Sequence, residues 1–366
     1  METQVDLVLN GKGQGALAKQ LLTMGRADVG AMKPYIDSKG RSVVTVFKGG
    51  DPRMRSNYHT VQVNAATLRR DEWKMLDDAV MGIAETRLVG VQDLIDKNLV
   101  YNLGNGFGTT VLEWHDVSDA LEADQTMDGI TRGKNDRPEF QHNYLPLPIV
   151  HVDYEINARV LATSRNMGNP LDTTMAERAG RKVAQFLENS LFTDTSYSYG
   201  TKDDRNRNTI YSYLNHPDRN LVTLSDYGNW DDSSTRAINI LHSVRAMKQA
   251  AITAKRYGPY QLYVPTNYET RLDDDYDMTT PGTTIRERIM KIDKIEGVKV
   301  IDALPDDNVL LVQMTSDVVR LVRGLGIQNV QWGAEGDMVS KFKVMTIQVP
   351  QIRSDANGSC GVIHMS

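Results

Sequence analysis

Two long strand-like stretches, separated by a polar segment, constrain the fold of this chain more than any other feature. Thr109–Leu121 and Phe140–Ile156 are rich in β-branched, aromatic and leucine residues. The pattern predicts one long β-hairpin over residues 109–156. Strands of about 12 residues reach about 40 Å at about 3.3 Å per residue, and a two-stranded ribbon alone is marginally stable in water. The ribbon therefore needs a surface to lie on, and a neighbouring copy of the chain is the simplest candidate.

The tip of this hairpin and a second loop carry the charges that we expect to contact another subunit. In the hairpin tip the candidates are Asp124, Asp128, Arg132, Lys134 and Arg137. In the second loop they are Asp273, Asp274 and Asp275. An acidic run can also attract a divalent cation, but this one lacks the EF-hand spacing. A solvated loop or an intersubunit salt contact is the favoured interpretation.

The segment Leu171–Phe192 has the clearest helical pattern in the sequence. An apolar stripe at helical spacing is predicted to face the core, and its members are Met175, Ala179, Val183, Phe186, Leu187 and Leu191. The polar residues Arg178, Arg181, Lys182, Gln185 and Glu188 are assigned to the other faces. Such a stripe is typical of core packing rather than of a cofactor site.

The other elements predict an α+β fold. Helical spacing begins near Leu68 and runs through two segments, and a further helix covers about 234–256. Strand patterns dominate from residue 297 onwards. With 366 residues, 40% hydrophobic and 24% charged, the chain is large enough to bury a core without disulfides or metals. Helices and strands that are segregated along the chain are typical of the α+β class.

Residues 1–67 are predicted to form an extended arm. Residues 1–70 contain 11 Lys and Arg against 5 Asp and Glu, a net charge of +6, although the whole chain carries -5. This asymmetry indicates a separate partner: either an acidic neighbouring subunit, which we favour, or nucleic acid, whose phosphates attract basic arms without sequence specificity. The candidate lumen-facing or DNA-facing residues are Lys12, Lys19, Arg26, Lys33, Lys48, Arg53 and Arg55.

The sequence predicts no catalytic, cofactor or metal site. It contains no His-Glu-x-x-His motif and its 7 His residues are scattered. The glycine-rich segments at 11–15 and 104–108 do not match a phosphate-binding loop. The lone Cys360 is interpreted as structural. His151 and Asp153 lie on one strand face, where they could position a ligand, but a cross-strand hydrogen-bonding pair is the favoured interpretation. The sequence also lacks a signal peptide and a membrane span, so we expect a soluble, intracellular protein when it is made.

Short phrases in the expected order resemble the encapsulin branch of the tailed-phage major capsid protein fold. They include LRRDEWKMLDDAV, GNGFGTT, IVHVDYEINARVLATSR, MAERAGRKVAQFLENSLFTD and GVKVIDALPDDNVLLVQMTSDVVRLVRG. The resemblance covers about residues 68–366. It implies an N-terminal arm at 1–67, a P-domain helix and turn at 68–108, an E-loop hairpin at 109–156, a P-domain with its spine helix at 157–219, an A-domain at 220–320, and P-domain return strands with a C-terminal tail at 321–366.

The function implied by this resemblance is a shell. The chain is expected to assemble with itself, as hexamers and pentamers, into an icosahedral virion capsid that encloses double-stranded phage DNA. The expected partners are this DNA, a portal, and scaffolding or decoration proteins, with assembly in the host cytoplasm and no membrane. Some relatives cross-link an E-loop Lys, a position that Lys134 matches, but no partner Asn aligns. The alternatives are an encapsulin shell that packages a cargo enzyme, and a soluble α+β enzyme.

Overall fold

The computed structural model describes residues 32–47, 51, 53–62, 68–104, 106–117, 140–167, 171–200, 209–276, 282–335, 338–355 and 357–366. The helices are α1 (Arg70–Arg87), α2 (Val89–Asp96), α3 (Ala158–Met167), α4 (Thr174–Phe192), α5 (Ala237–Thr253), α6 (Glu269–Leu272) and α7 (Ile285–Met290). The strands are β1 (Tyr35–Ile36), β2 (Ser42–Phe47), β3 (Tyr58–Gln62), β4 (Val100–Asn102), β5 (Val111–Val117), β6 (Phe140–Pro146), β7 (Val150–Asn157), β8 (Tyr197–Ser198), β9 (Thr209–Ile210), β10 (Asn220–Val222), β11 (Tyr260–Pro265), β12 (Ile295–Ile301), β13 (Val309–Gln313), β14 (Val319–Glu335), β15 (Val339–Ile352) and β16 (Val362–Met365).

A four-stranded sheet, in the order β4-β14-β15-β7, forms one unit together with α1 and α4. The long strands β14 and β15 pair antiparallel, and β7 pairs antiparallel with β15. Phe342 of β15 is fully buried, stacks on Tyr154 at 5.4 Å and meets Trp73 edge-on at 5.7 Å. The two helices approach closely at Gly180, where an added Cβ would lie 3.1 Å from the carbonyl oxygen of Val80.

The helix α4 lies where the sequence predicts a helix, but its buried stripe differs from the prediction. Ala179, Val183 and Leu187 are buried, as expected. The prediction was wrong for Met175 and Phe186, which are 47% and 55% exposed. The buried face is instead formed largely by small residues that let α1 come close, and its members are Ala176, Ala179, Gly180, Val183, Ala184, Leu187, Glu188, Leu191 and Phe192.

A five-stranded sheet, in the order β10-β16-β13-β11-β12, forms a second unit with α5 and α7. Its core contains the fully buried side chains of Trp230, Met247 and Leu262. The C-terminal strand β16 lies between β10 and β13 in this sheet, and Ile363 and Met365 join its core. The sequence analysis assigned 321–366 to P-domain return strands and a C-terminal tail. The tail strand β16 is buried against the region expected as the A-domain, and the domain division itself stays a prediction.

The predicted ribbon over 109–156 is divided into two parts. Strands β5 and β6 pair antiparallel from Val111 with Pro146 to Val117 with Phe140. After Pro146 the chain leaves the hairpin, and β7 joins the four-stranded sheet by pairing with β15. The prediction of one uninterrupted strand over 140–156 was therefore wrong, because the second half finds its hydrogen-bonding partner within the chain. The described part of the hairpin has seven residues in each strand.

Residues 32–47 and 53–62 contain a small antiparallel sheet, β1-β2-β3, that docks on α1. Val44 is fully buried, and the indole N–H of Trp73 donates to the carbonyl oxygen of Pro34 at 2.8 Å. The ammonium group of Lys33 pairs with Asp77 of α1 at 2.8 Å. A carboxylate of its own chain therefore engages Lys33, and its assignment as a lumen-facing or DNA-facing residue stays a prediction.

Candidate assembly surfaces

The outward face of α4 combines apolar and basic side chains. Met175 and Phe186 are exposed here, and Arg178, Arg181 and Lys182 are exposed between them at helical spacing. Helical periodicity predicts that these two apolar residues belong to the core stripe. A broad apolar arc on a helix does not show which edge of the arc is buried by the rest of the same chain.

Phe186 borders a groove of about 610 Å³ between the C-terminal half of α4 and the start of β7. Ile149 and Tyr197 line the same groove, and each is 46% exposed. Val349 and Pro350 of β15 also line it. Contiguous exposed apolar surface of this kind marks interaction sites more often than single exposed residues do. We call the surface formed by Ile149, Phe186 and Tyr197 the α4 groove.

The base of the β5-β6 hairpin packs on a small core cluster of its own. Leu145 and Leu147 are buried with Val322 and Ile347 of the four-stranded sheet. Trp114 of β5 is partly buried against them. This cluster fixes the hairpin where it leaves the sheet. The tip candidates lie outside the described residues, and they are Asp124, Asp128, Arg132, Lys134 and Arg137.

The acidic loop at 273–275 is largely compensated by its own chain. Asp273 lies 3.2 Å from Arg286, and Asp274 lies 2.6 Å from Arg271. The carboxylate of Asp275 accepts from the backbone N–H of Gly282 at 3.5 Å. Intersubunit contact by these residues stays a prediction, but arginines of the same chain already pair with two of the three carboxylates. Within the described ranges, His, Cys, Asp and Glu side chains do not gather in threes in a way that could hold a metal ion.

Of the basic arm candidates, Arg53 and Arg55 are exposed. The remaining candidates apart from Lys33 lie outside the described residues, and they are Lys12, Lys19, Arg26 and Lys48. Contact of the arm with nucleic acid or with an acidic neighbour therefore stays a prediction. Elsewhere, His151 Nδ1 lies 3.4 Å from Asp153 Oδ1 on the exposed face of β7, and Lys343 of the neighbouring strand β15 lies 3.4 Å from the same carboxylate.

Several buried groups have displaced pKa values for structural reasons. Burial raises the pKa of the Cys360 thiol to about 11, so this thiol is protonated at neutral pH and a poor nucleophile. Burial lowers the pKa of His216 and of His364 to about 4. His364 Nε2 is hydrogen-bonded to Asn308 at 2.7 Å, between the strand β16 and the loop before β13.

A buried carboxylate on α4 was missed by the sequence prediction, which placed Glu188 on an outer face. Glu188 is only 6% exposed, and its two oxygens accept from the backbone N–H groups of Gly90 and Val91 at 3.2 Å each. Burial raises the pKa of this carboxyl to about 7. The sequence does contain a signal for this burial. Glu188 follows Gly180 and Ala184 at intervals of four, so it lies on the same small-residue face of the helix.

The comparisons with known proteins bear on this arrangement. The family model described as "Family of unknown function (DUF6260)" matches residues 64–365. The chain belongs to this family. No curated protein matches the DUF6260 chain in sequence.

Two solved structures have the same fold as this DUF6260 protein. The virus-like particle protein from Pyrococcus furiosus is 17% identical with a TM-score of 0.56, and the match covers 80% of this chain and 99% of that chain. The capsid protein of Myoviridae phage XM1 is 8% identical with a TM-score of 0.55, and the match covers 74% and 90%. The predicted α+β class and phage capsid protein fold are therefore confirmed. Among the described residues of the DUF6260 protein, no helix has the length and apolar composition needed to cross a bilayer.

Proposed function

We propose that this protein is a major capsid protein that assembles with copies of itself into an icosahedral shell around double-stranded phage DNA. The observation that carries the proposal is a capsid-type fold whose central helix, α4, presents an apolar and basic face outwards. Within the described part of a lone chain, the α4 groove is open to water. Covering it with a second copy removes apolar surface from water, which favours association.

In this mechanism each subunit contributes several modest contacts, and symmetry multiplies them. The hairpin lies over the adjacent subunit, with the tip charges around Lys134 pairing across the interface. The five-stranded unit meets its counterparts at the centres of pentamers and hexamers. The basic residues of the arm face the interior or an acidic neighbour. A portal, scaffolding or decoration proteins, and DNA bound without sequence specificity complete the proposed set of partners, with assembly in the host cytoplasm.

Deletion of residues 122–138 tests the hairpin step. The hairpin base is fixed by its own cluster around Leu145 and Leu147, so we expect the shortened chain to fold with an unfolding midpoint near that of the full chain. We expect it to remain a monomer or a single capsomer in sedimentation velocity, whereas the full chain forms megadalton particles. Intact particles from the shortened chain would contradict the role of the hairpin.

The encapsulin alternative is kept because the virus-like particle protein from Pyrococcus furiosus matches over 99% of its length. The contents of purified particles separate the two functions. Nuclease-resistant DNA inside the shells supports the phage capsid. Shells that lack nucleic acid and co-purify with one protein in fixed proportion support the encapsulin.

The enzyme alternative has less support. It requires a pocket in which catalytic groups converge. The buried Glu188 carboxyl is instead engaged by two backbone N–H groups, and the buried Cys360 thiol is protonated at neutral pH. Size-exclusion chromatography over a range of concentrations tests this alternative, since an enzyme predicts one small stable oligomer and a shell protein predicts megadalton particles.

A further inference from the structure

The two units of the fold meet at a buried cluster of ionisable side chains. Glu188 of α4 and Asp93 of α2 come from the unit built on the four-stranded sheet, which we call the helical unit because α1, α2 and α4 pack together in it. Tyr263 of β11 and Lys299 of β12 come from the five-stranded sheet. Asp93 is 4% exposed, accepts from the Tyr263 hydroxyl at 2.9 Å and is ion-paired with Lys299. Polar contacts therefore join the two units at this place.

A groove of about 560 Å³ opens beside this cluster. One wall is formed by Val89 and by Gln185, Glu188 and Asn189 of α4, and the other by residues 300–303 at the end of β12. The groove thus follows the boundary between the helical unit and the five-stranded sheet. Any change in the angle between the two units would widen or narrow it, and water that enters the groove would reach the Glu188 carboxyl.

We propose that Glu188, Asp93 and Lys299 form a pH-sensitive latch that holds the five-stranded sheet on the helical unit when Glu188 is neutral and loosens when Glu188 ionises. With Glu188 neutral, one buried carboxylate faces one lysine. With Glu188 ionised, two buried carboxylates share that lysine. The backbone N–H groups of Gly90 and Val91 offset only part of the excess negative charge, because the closed junction excludes water from it.

The groups that face Glu188 come from each element packed against it. They are Asp93 of α2, Lys299 of β12, Asp302 at the end of the groove wall, Tyr263 of β11 and Tyr213 before β10. Both tyrosines have pKa values raised by burial, so they stay neutral over the relevant range. Lys299 is therefore the one cation among the described groups that face the two carboxylates, and its side chain is 41% exposed.

The direction of the pH effect follows from the pKa of Glu188, which is about 7 in the closed junction against a reference value of 4.5. Between these values the closed junction binds a proton that the open junction has released. The closed state therefore loses stability as the pH rises from 4.5 through 7. In a shell subunit this junction sets the angle between the two units; that consequence depends on the proposed function, but the latch does not.

Hydrogen exchange of the full-length protein between pH 5 and 8 tests the latch. Protection factors, corrected for the intrinsic pH dependence of exchange, are compared for peptides covering 89–96 and 295–303, with 240–247 of α5 as an internal reference. For wild type we expect protection in the two junction peptides to fall on the order of fifty-fold over this range. Light scattering at each pH follows the state of assembly, so the latch is tested whether or not the chain forms shells.

Three variants decide the outcome. Glu188→Gln should abolish the pH dependence at the junction whatever its absolute protection, and Glu155→Gln, at an exposed carboxylate on β7, should behave as wild type. Lys299→Met, at a half-exposed side chain, should move the midpoint of the fall to higher pH. A flat profile in wild type, an equal slope in Glu188→Gln, or an unchanged midpoint in Lys299→Met would overturn the latch.

Discussion

The two faces of α4 differ in burial, and we propose that the inner face serves folding and the outer face assembly. Phe192 on the inner face is fully buried, with its ring 5.0 Å from that of Tyr263 and 5.6 Å from that of Tyr213. Phe186 on the outer face lies in the same helix and is 55% exposed. Two identical side chains six positions apart therefore differ in role: Phe192 stabilises the monomer, and Phe186 is the one that we propose meets a partner.

The largest expected effect is on the inner face. Phe192→Ala should lower the free energy of unfolding by about 3–5 kcal/mol, because it removes a buried ring and leaves a cavity. Urea denaturation of the variant and wild type measures this difference. A loss below about 1 kcal/mol would mean that the inner face collapses around the cavity and that the contrast between the faces is weaker than the structure indicates.

The next largest effect is the pH dependence of the free energy of unfolding that two buried histidines cause. His216 and His364 have pKa values of about 4, below the reference value of 6.5. The unfolded chain takes up protons first, so stability is lost as the pH falls from 6.5 towards 4.

For each of these two histidines the loss should be about 2 kcal/mol between pH 6.5 and 4.5. His364→Gln and His216→Gln should flatten the decline of unfolding free energy in this range, and the exposed His151→Gln should leave it unchanged. Equal slopes in all three variants would contradict the assignment.

A smaller effect is expected where α1 and α4 touch. In Gly180→Ala the new Cβ would lie 3.1 Å from the carbonyl oxygen of Val80. The helices must separate slightly, which should destabilise the protein by about 1–2 kcal/mol, despite the better helix propensity of Ala. Thermal unfolding measures the change, with Arg181→Ala on the outer face as the control that should leave stability within about 0.5 kcal/mol. A Gly180→Ala variant that is more stable than wild type would show that the interface between α1 and α4 accommodates the added methyl group without strain, which would contradict this prediction.

The smallest effect on stability should come from the outer face. Phe186→Ser should change the free energy of unfolding by no more than about 0.5 kcal/mol, because the side chain is already half in water. The same change should strongly reduce particle formation, measured by sedimentation velocity. A variant that assembles like wild type would show that the α4 groove is not an interface.

Much of the fold could be predicted from the sequence because its strongest patterns are local. Helical spacing located α4, and β-branched runs located β12 to β15. The errors arose where a distant part of the chain decides the outcome. The pairing of β7 with β15 is such a long-range contact. The insertion of β16 into the five-stranded sheet and the ion pair of Lys33 with Asp77 are two more long-range contacts that the sequence did not reveal.

The surfaces were harder to predict than the elements. Periodicity identified α4 but could not show that Met175 and Phe186 lie outside the covered arc or that Glu188 lies inside it. Both facts depend on how close α1 and α2 come to α4, and that distance is set by Gly180 and Gly90 in the folded structure. At Gly90 an added Cβ would lie 2.3 Å from the ring of Phe192.

Negative-stain imaging of the purified full-length protein, combined with mass photometry, tests the central claim most directly. The account predicts closed icosahedral shells of megadalton mass, built from pentamers and hexamers of this chain. A population that contains only monomers or small oligomers at every protein concentration and salt condition would contradict it.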